Sequence, residues 1–119
     1  MIKRVSVVGA TGYSGAELCA LLSRHPRIEI AGLYSSEGGS RCSFGSLHPS
    51  LAGIKGPAVE PFTLEGAKAA RPDVALLATP NETSARLAPA FLDAGIAVID
   101  LSGSFRLKDP EDYPRWYGF

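Results

Sequence analysis

The sequence predicts an α/β domain: a parallel sheet, doubly wound, with helices on both faces. Three observations carry this expectation. A short β-branched run near the amino end closes on a glycine turn, strand-like and helix-like segments alternate along the chain, and the first strand passes into the first helix through a turn with three spaced glycines. Ile2 to Val8 has the continuous apolar character of a strand buried on both faces. From Ser14 onward Leu18, Leu21, Leu22 and His25 recur at helical spacing, and Pro26 ends that helix because it cannot extend the hydrogen-bond ladder. Ile28 to Tyr34 is the second strand. Ser35 to Pro57 collects Gly, Ser and Pro with weak periodicity, which predicts a long loop with a binding role or poor order and room for a short helix.

Val59 to Phe62 predicts a short strand, Leu64 to Ala70 a short helix, and Val74 to Thr79 a buried strand. Asn81 stands where an N-cap belongs, ahead of a helix whose Ala85, Ala88, Phe91 and Leu92 share a face. Pro89 removes one internal bond there and predicts a kink; Gly95 ends the helix. Ile96 to Leu101 completes a β-α-β-loop-β-α-β-α-β order.

Composition narrows the function classes. The 119 residues suit one domain, and 45% hydrophobic with 20% charged residues is globular rather than fibrous or disordered. Twelve basic residues balance twelve acidic ones, so no cationic field attracts a nucleic-acid backbone or an anionic bilayer. The apolar run Val74 to Ala78 is far shorter than the roughly 20 residues of a membrane-spanning helix. Lys3 and Arg4 before Val5 to Ala10 have the outline of a signal peptide, but Gly9, Gly12 and Gly15 interrupt it, so the start is expected to be mature protein. Cys19 and Cys42 are too few for a disulfide framework and lack metal-ligand spacing, which points to a reducing cytoplasm and no metal.

Gly9-Ala10-Thr11-Gly12-Tyr13-Ser14-Gly15 carries the chemistry. The glycines allow close backbone approach, and amides at a helix N-terminus, aided by the helix dipole, favour a pyrophosphate. The G-x-x-G-x-x-G spacing in a strand-turn-helix context predicts a Rossmann-like dinucleotide site; the alternative is a tight turn without ligand. At the end of the second strand, where an NAD enzyme places a carboxylate, stand Ser35 and Ser36. Two hydroxyls, with Arg41 in the following loop, suit the 2′-phosphate of NADP, while Glu37 is a contrary signal; the alternative makes Ser35, Ser36 and Arg41 solvated loop residues, and for Arg41 taken singly the two readings weigh the same.

Thr79-Pro80-Asn81 follows a strand at the carboxyl edge of the sheet and is a candidate border for the nicotinamide ribose; a capped turn explains the same residues. Arg106, at the same edge after the fifth strand, has the planar fork that holds a phosphate or carboxylate, although a loop arginine alone is commonly a surface charge. His25 and His48 have no evident catalytic partner, Cys19 suits a small buried hydrophobe, and Cys42 a more exposed thiol. No tyrosine has a lysine four residues on, which weakens a short-chain dehydrogenase reading. Tyr113, Trp116, Tyr117 and Phe119 crowd the last seven residues and need cover, which predicts a longer native chain or a self-association surface.

The Gly9 to Leu18 segment, the His48-Pro49 pair, Val98 to Asp109 and Trp116-Tyr117-Gly118 together resemble the N-acetyl-gamma-glutamyl-phosphate reductases of the semialdehyde dehydrogenase group. The resemblance spans essentially the whole chain, with the Tyr34 to Arg41 loop only loosely similar. It implies a truncated dinucleotide-binding domain over residues 1–119, with the catalytic cysteine and histidine and the substrate domain beyond it, so this segment by itself is expected to be inactive. The implied activity is an oxidoreductase step of arginine biosynthesis in the cytoplasm. NADPH reduces the acyl phosphate to the semialdehyde with phosphate release, through a thioester on an enzyme thiolate, in a homo-oligomeric enzyme. Thr11 to Gly15 then take the cofactor phosphates, Ser35, Ser36 and Arg41 the 2′-phosphate, and Arg106 with Ser102 and Ser104 the substrate phosphate. A sister enzyme for aminoadipyl or aspartyl phosphate and a non-catalytic dinucleotide-binding module are the alternatives.

Overall fold

The computed structural model describes residues 1–118. Five parallel strands form one sheet in the order β3-β2-β1-β4-β5, with β1 Lys3–Val8, β2 Ile28–Ser35, β3 Val59–Pro61, β4 Val74–Leu77 and β5 Ala97–Asp100. The helices are α1 Tyr13–Ser23, α2 Leu64–Ala69, α3 Asn81–Asp93 and the single turn α4 Tyr113–Trp116. The doubly wound α/β class is therefore the observed one, with ends moved by a residue or two where the outer peptide groups fall outside the ladder.

Two apolar layers sandwich the sheet. Val5, Val7, Leu33, Val59 and Leu76 meet Cys19 of α1 on one face; Val8, Ala75 and Leu77 meet Ala67, Leu87, Ala88 and Phe91 of α2 and α3 on the other. β1 lies between β2 and β4 and buries its last four residues, as a central strand covered on both sides must. The edge strand β5 alternates instead, with Ile99 exposed.

The 35–57 stretch is more ordered than its composition suggests. Two short 3₁₀ turns, Phe44–Ser46 and Pro49–Leu51, press Phe44 and Leu51 into the layer beneath α1, and Cys42 bridges to Val59. Isolated aromatic and aliphatic anchors, rather than periodicity, order this loop, which is why a pattern search passes over it.

Other details depart from expectation. The buried face of α3 is Ser84, Leu87, Ala88 and Phe91, while Ala85 and Leu92 face outward. Buried Ser84 is accommodated because its hydroxyl pairs with that of Thr79 at 2.6 Å. In α1 the buried positions are Gly15, Cys19 and Ala20, with Leu21 exposed. The helix α3 continues through Pro89 as one element. Tyr113 is buried and stacks on Tyr117 with ring centroids 5.3 Å apart, whereas Trp116 is exposed; Phe119 lies outside the described residues. Of the terminal rings, Tyr113 thus finds cover within the chain, against the Gly103 turn, while Tyr117 packs on it and stays exposed. No described helix is long and apolar enough to cross a membrane.

Candidate functional site

The carboxyl ends of β1, β2 and β4 converge on one crevice. β1 continues into the glycine turn, β2 into Ser35-Ser36-Glu37, and β4 into Ala78-Thr79-Pro80, and all three line a cavity of about 380 Å³ that Val8, Phe62 and Leu87 also line. This is the place where strand order reverses around β1, the position at which open α/β sheets leave a gap between diverging connections.

Gly9 adopts φ +86°, and a Cβ there would lie 2.9 Å from the Ala78 carbonyl carbon and closer still to its oxygen. The turn therefore packs directly on the β4 connection. A Cβ on Gly15 would stand 2.8 Å from Ala10 Cα and closer to the Gly9 carbonyl, so this glycine lets α1 sit against its own turn. Gly12 differs: a Cβ there would meet only the Gly9 carbonyl, at an ordinary 3.6 Å, and Gly12 lines the crevice. Gly12 is also the N-cap of α1, and no side chain caps that helix. The positive end of its dipole thus meets neither a side-chain cap nor an acidic residue of the first turn.

The expected residues divide by position. Gly9, Thr11, Gly12, Ser35, Ser36, Thr79 and Pro80 line the crevice. Tyr13, Ser14 and Gly15 follow in the first turn of α1; the Tyr13 ring is fully in solvent, while Gly15 is spent on helix packing. Ser35 is itself buried, its hydroxyl donating to the Ser40 carbonyl at 3.1 Å. Arg41 forms an ion pair with Glu60. Asn81 is not a cap: Pro80 occupies that position, and the Asn81 amide oxygen accepts the Gly103 N–H at 2.9 Å. Proline's preset φ serves the helix start, which leaves the asparagine side chain to tie the β4 connection to the loop after β5.

That loop is internally bonded. The Ser102 hydroxyl donates to Asp100 at 2.9 Å, the Ser104 hydroxyl to the Asn81 carbonyl, and the Tyr113 hydroxyl to the Gly103 carbonyl at 2.9 Å. Arg106 is exposed, and its Nη2 makes a 3.4 Å contact with the Leu101 carbonyl. Both serines therefore help hold the turn in shape, and the Arg106 side chain lies exposed beside it.

The thiols differ in the expected sense. Cys19 is wholly buried, and loss of solvation outweighs a backbone hydrogen bond to lift its pKa from 9.0 to about 11, so it is an inert core residue. His48, for which the sequence shows no evident catalytic partner, bonds the Glu17 carboxylate at 2.8 Å and accepts the Ser50 N–H at 3.1 Å. This partner is 31 residues away in sequence and belongs to α1, so local spacing held no sign of it. Sequence reasoning likewise missed Thr83 and Leu87, which line the crevice, and Arg86 between them, whose guanidinium pairs with Glu37. Only the packing of α3 beside β4 brings that helix to the crevice.

Comparison with known proteins places this architecture. N-acetyl-gamma-glutamyl-phosphate reductase of Aeromonas salmonicida is 45% identical over 117 residues, and that of Tolumonas auensis 44% over 119; they cover 95% and 97% of this chain. The chain spans 35% and 36% of those two relatives, about a third of their length. Among solved structures, aspartate semialdehyde dehydrogenase of Candida albicans shares the fold with a TM-score of 0.72 at 24% identity, over 91% of this chain and 32% of that one. A probable aspartate-semialdehyde dehydrogenase of Pseudomonas aeruginosa aligns with a TM-score of 0.62 at 28% identity, over 92% and 30%. The family model for the semialdehyde dehydrogenase NAD-binding domain matches residues 4–116, which makes this a nicotinamide dinucleotide-binding domain. Because that match runs from the first strand to the last helical turn, the chain belongs to the semialdehyde dehydrogenase NAD-binding family.

Proposed function

We propose that this chain is the NADPH-binding part of an N-acetyl-gamma-glutamyl-phosphate reductase. The observation that carries the reading is the 44–45% identity to enzymes of that name across nearly every residue of the chain. The residues present fit the cofactor. An uncapped helix start, a glycine whose face is open to the crevice, and a cavity of about 380 Å³ between three strand ends suit an extended dinucleotide better than a compact ligand. When bound, the nicotinamide supplies a hydride for reduction of an acyl carbonyl.

The chain's own residues bind and orient. Amides from Thr11 to Gly15 hold the diphosphate, Ser36 with the Ser35 turn meets the adenosine ribose, and Thr79 and Pro80 border the nicotinamide ribose. Arg106, on a turn that Ser102, Ser104 and Asn81 hold in shape, meets the phosphate of the acyl substrate. The same reading includes a cytoplasmic setting, in keeping with two free thiols, a small-molecule substrate and a homo-oligomeric full-length enzyme. An aspartyl-phosphate enzyme is the sister reading, supported by solved relatives at 26–28% identity, well below the reductases. Assay of the full-length protein with each acyl phosphate separates the two.

The direct test is titration of the 119-residue chain with NADPH, followed by nicotinamide fluorescence and by melting temperature. Saturable binding should raise stability by about 2.7 kcal/mol at a hundredfold excess over Kd. A folded chain whose melting temperature and fluorescence ignore NADPH would refute the reading.

A further inference from the structure

The crevice carries an unexpected charge pair beside the turn that follows β2. Glu37 follows β2 by two residues and lines the crevice beside Ser35 and Ser36. Arg86 comes from α3, 49 positions along the chain, between the crevice-lining residues Thr83 and Leu87, and its Nη2 donates to Glu37 Oε1. Both side chains are more than half exposed, at 59% and 57%. Arg41, later in the same loop, pairs with Glu60 on β3.

The two members of this pair favour opposite ligands. A carboxylate after the second strand accepts hydrogen bonds from the 2′- and 3′-hydroxyls of an unphosphorylated ribose and repels a phosphate; a guanidinium there binds a phosphate through two parallel N–H donors. Paired, they cancel. Because both groups are solvated, the pair itself is worth little and exchanges readily for a better partner.

We propose that the Arg86–Glu37 pair selects between phosphorylated and unphosphorylated dinucleotides. Arg86 leaves Glu37 for the 2′-phosphate, and Glu37 turns to solvent; with an unphosphorylated ribose the carboxylate accepts the hydroxyls and Arg86 remains its counter-ion. Arg86, whose partner Glu37 and neighbours Thr83 and Leu87 line the crevice, is then the phosphate-binding cation rather than Arg41, whose partner Glu60 lies on β3 away from that lining. The idea rests on the reading of the crevice as a dinucleotide site with its adenosine end at Ser35 to Glu37.

The experiment is fluorescence titration of the wild-type chain and of Arg86→Ala, Arg86→Lys and Glu37→Gln with NADPH and, separately, with NADH, after circular dichroism has matched their folds. Arg86→Ala should weaken NADPH by about tenfold or more, the scale of a lost charge-assisted bond, and leave NADH nearly unchanged. Arg86→Lys should recover part of the loss, and Glu37→Gln should tighten NADPH while loosening NADH. An unaltered NADPH-to-NADH affinity ratio in Arg86→Ala, at intact binding, would overturn the selector but leave the dinucleotide site standing. Failure of the wild-type chain to bind either nucleotide would overturn both.

Discussion

Gly12 and Gly15 stand three residues apart in one turn and serve different ends. A methyl group at Gly15 has no room beside Ala10 and the Gly9 carbonyl, whereas one at Gly12 meets an ordinary 3.6 Å contact and projects at the crevice. Gly15→Ala should therefore destabilise the fold by about 1–3 kcal/mol through overpacking at the α1 start. Gly12→Ala should melt close to the wild type but bind NADPH more weakly. Thermal denaturation together with nucleotide titration checks both; equal losses of stability in the two variants would contradict the assignment. The spacing of the glycines is legible in sequence because backbone approach demands them at intervals. Which glycine faces its own helix and which faces the ligand is not, since Ala10, Ala78 and the cavity enter only once the chain has folded.

Among the elements, the turn after β5 shows how a local reading goes astray. Tyr113 looks like a stranded aromatic near the chain end, yet its hydroxyl donates to the Gly103 carbonyl at 2.9 Å and accepts the Leu107 N–H at 3.0 Å. Asn81 looks like a helix cap, yet it spends its amide oxygen on Gly103 N–H. One turn is thus pinned from two directions by residues 10 and 22 positions away. Tyr113→Phe leaves both groups without that partner and should cost about 1–3 kcal/mol. Each kcal/mol corresponds to roughly 4–8 °C in a domain of this size, which calorimetry resolves. An unchanged transition would remove the hydroxyl from the turn's support. Side-chain hydrogen bonds of this reach have no periodic trace, unlike the strand and helix patterns that were legible over most of β1, β2, β4 and α3.

At the scale of the whole molecule, the two apolar layers set how stability responds to pH. Burial raises the Cys19 thiol to about 11 and moves the Tyr34 phenol upward as well. The folded chain therefore keeps protons that the unfolded chain releases. This contribution is complete below the thiol's ordinary 9.0 and is lost as pH rises through about 11. Denaturation midpoints should fall between pH 9 and 11, and Cys19→Ala should flatten the fall; a profile that Cys19→Ala leaves unaltered would exclude the thiol as a cause. From sequence alone the strand and helix periodicities, the glycine turn and the charge balance determine a parallel sheet with an anion-favouring helix start, because each depends on near neighbours along the chain. Only the tertiary structure decides that Glu37 meets Arg86, that Arg41 is taken by Glu60 and that Asn81 supports the Gly103 turn. Those partners lie 19 to 49 positions apart, and only the winding of the chain about the sheet brings them within bonding distance.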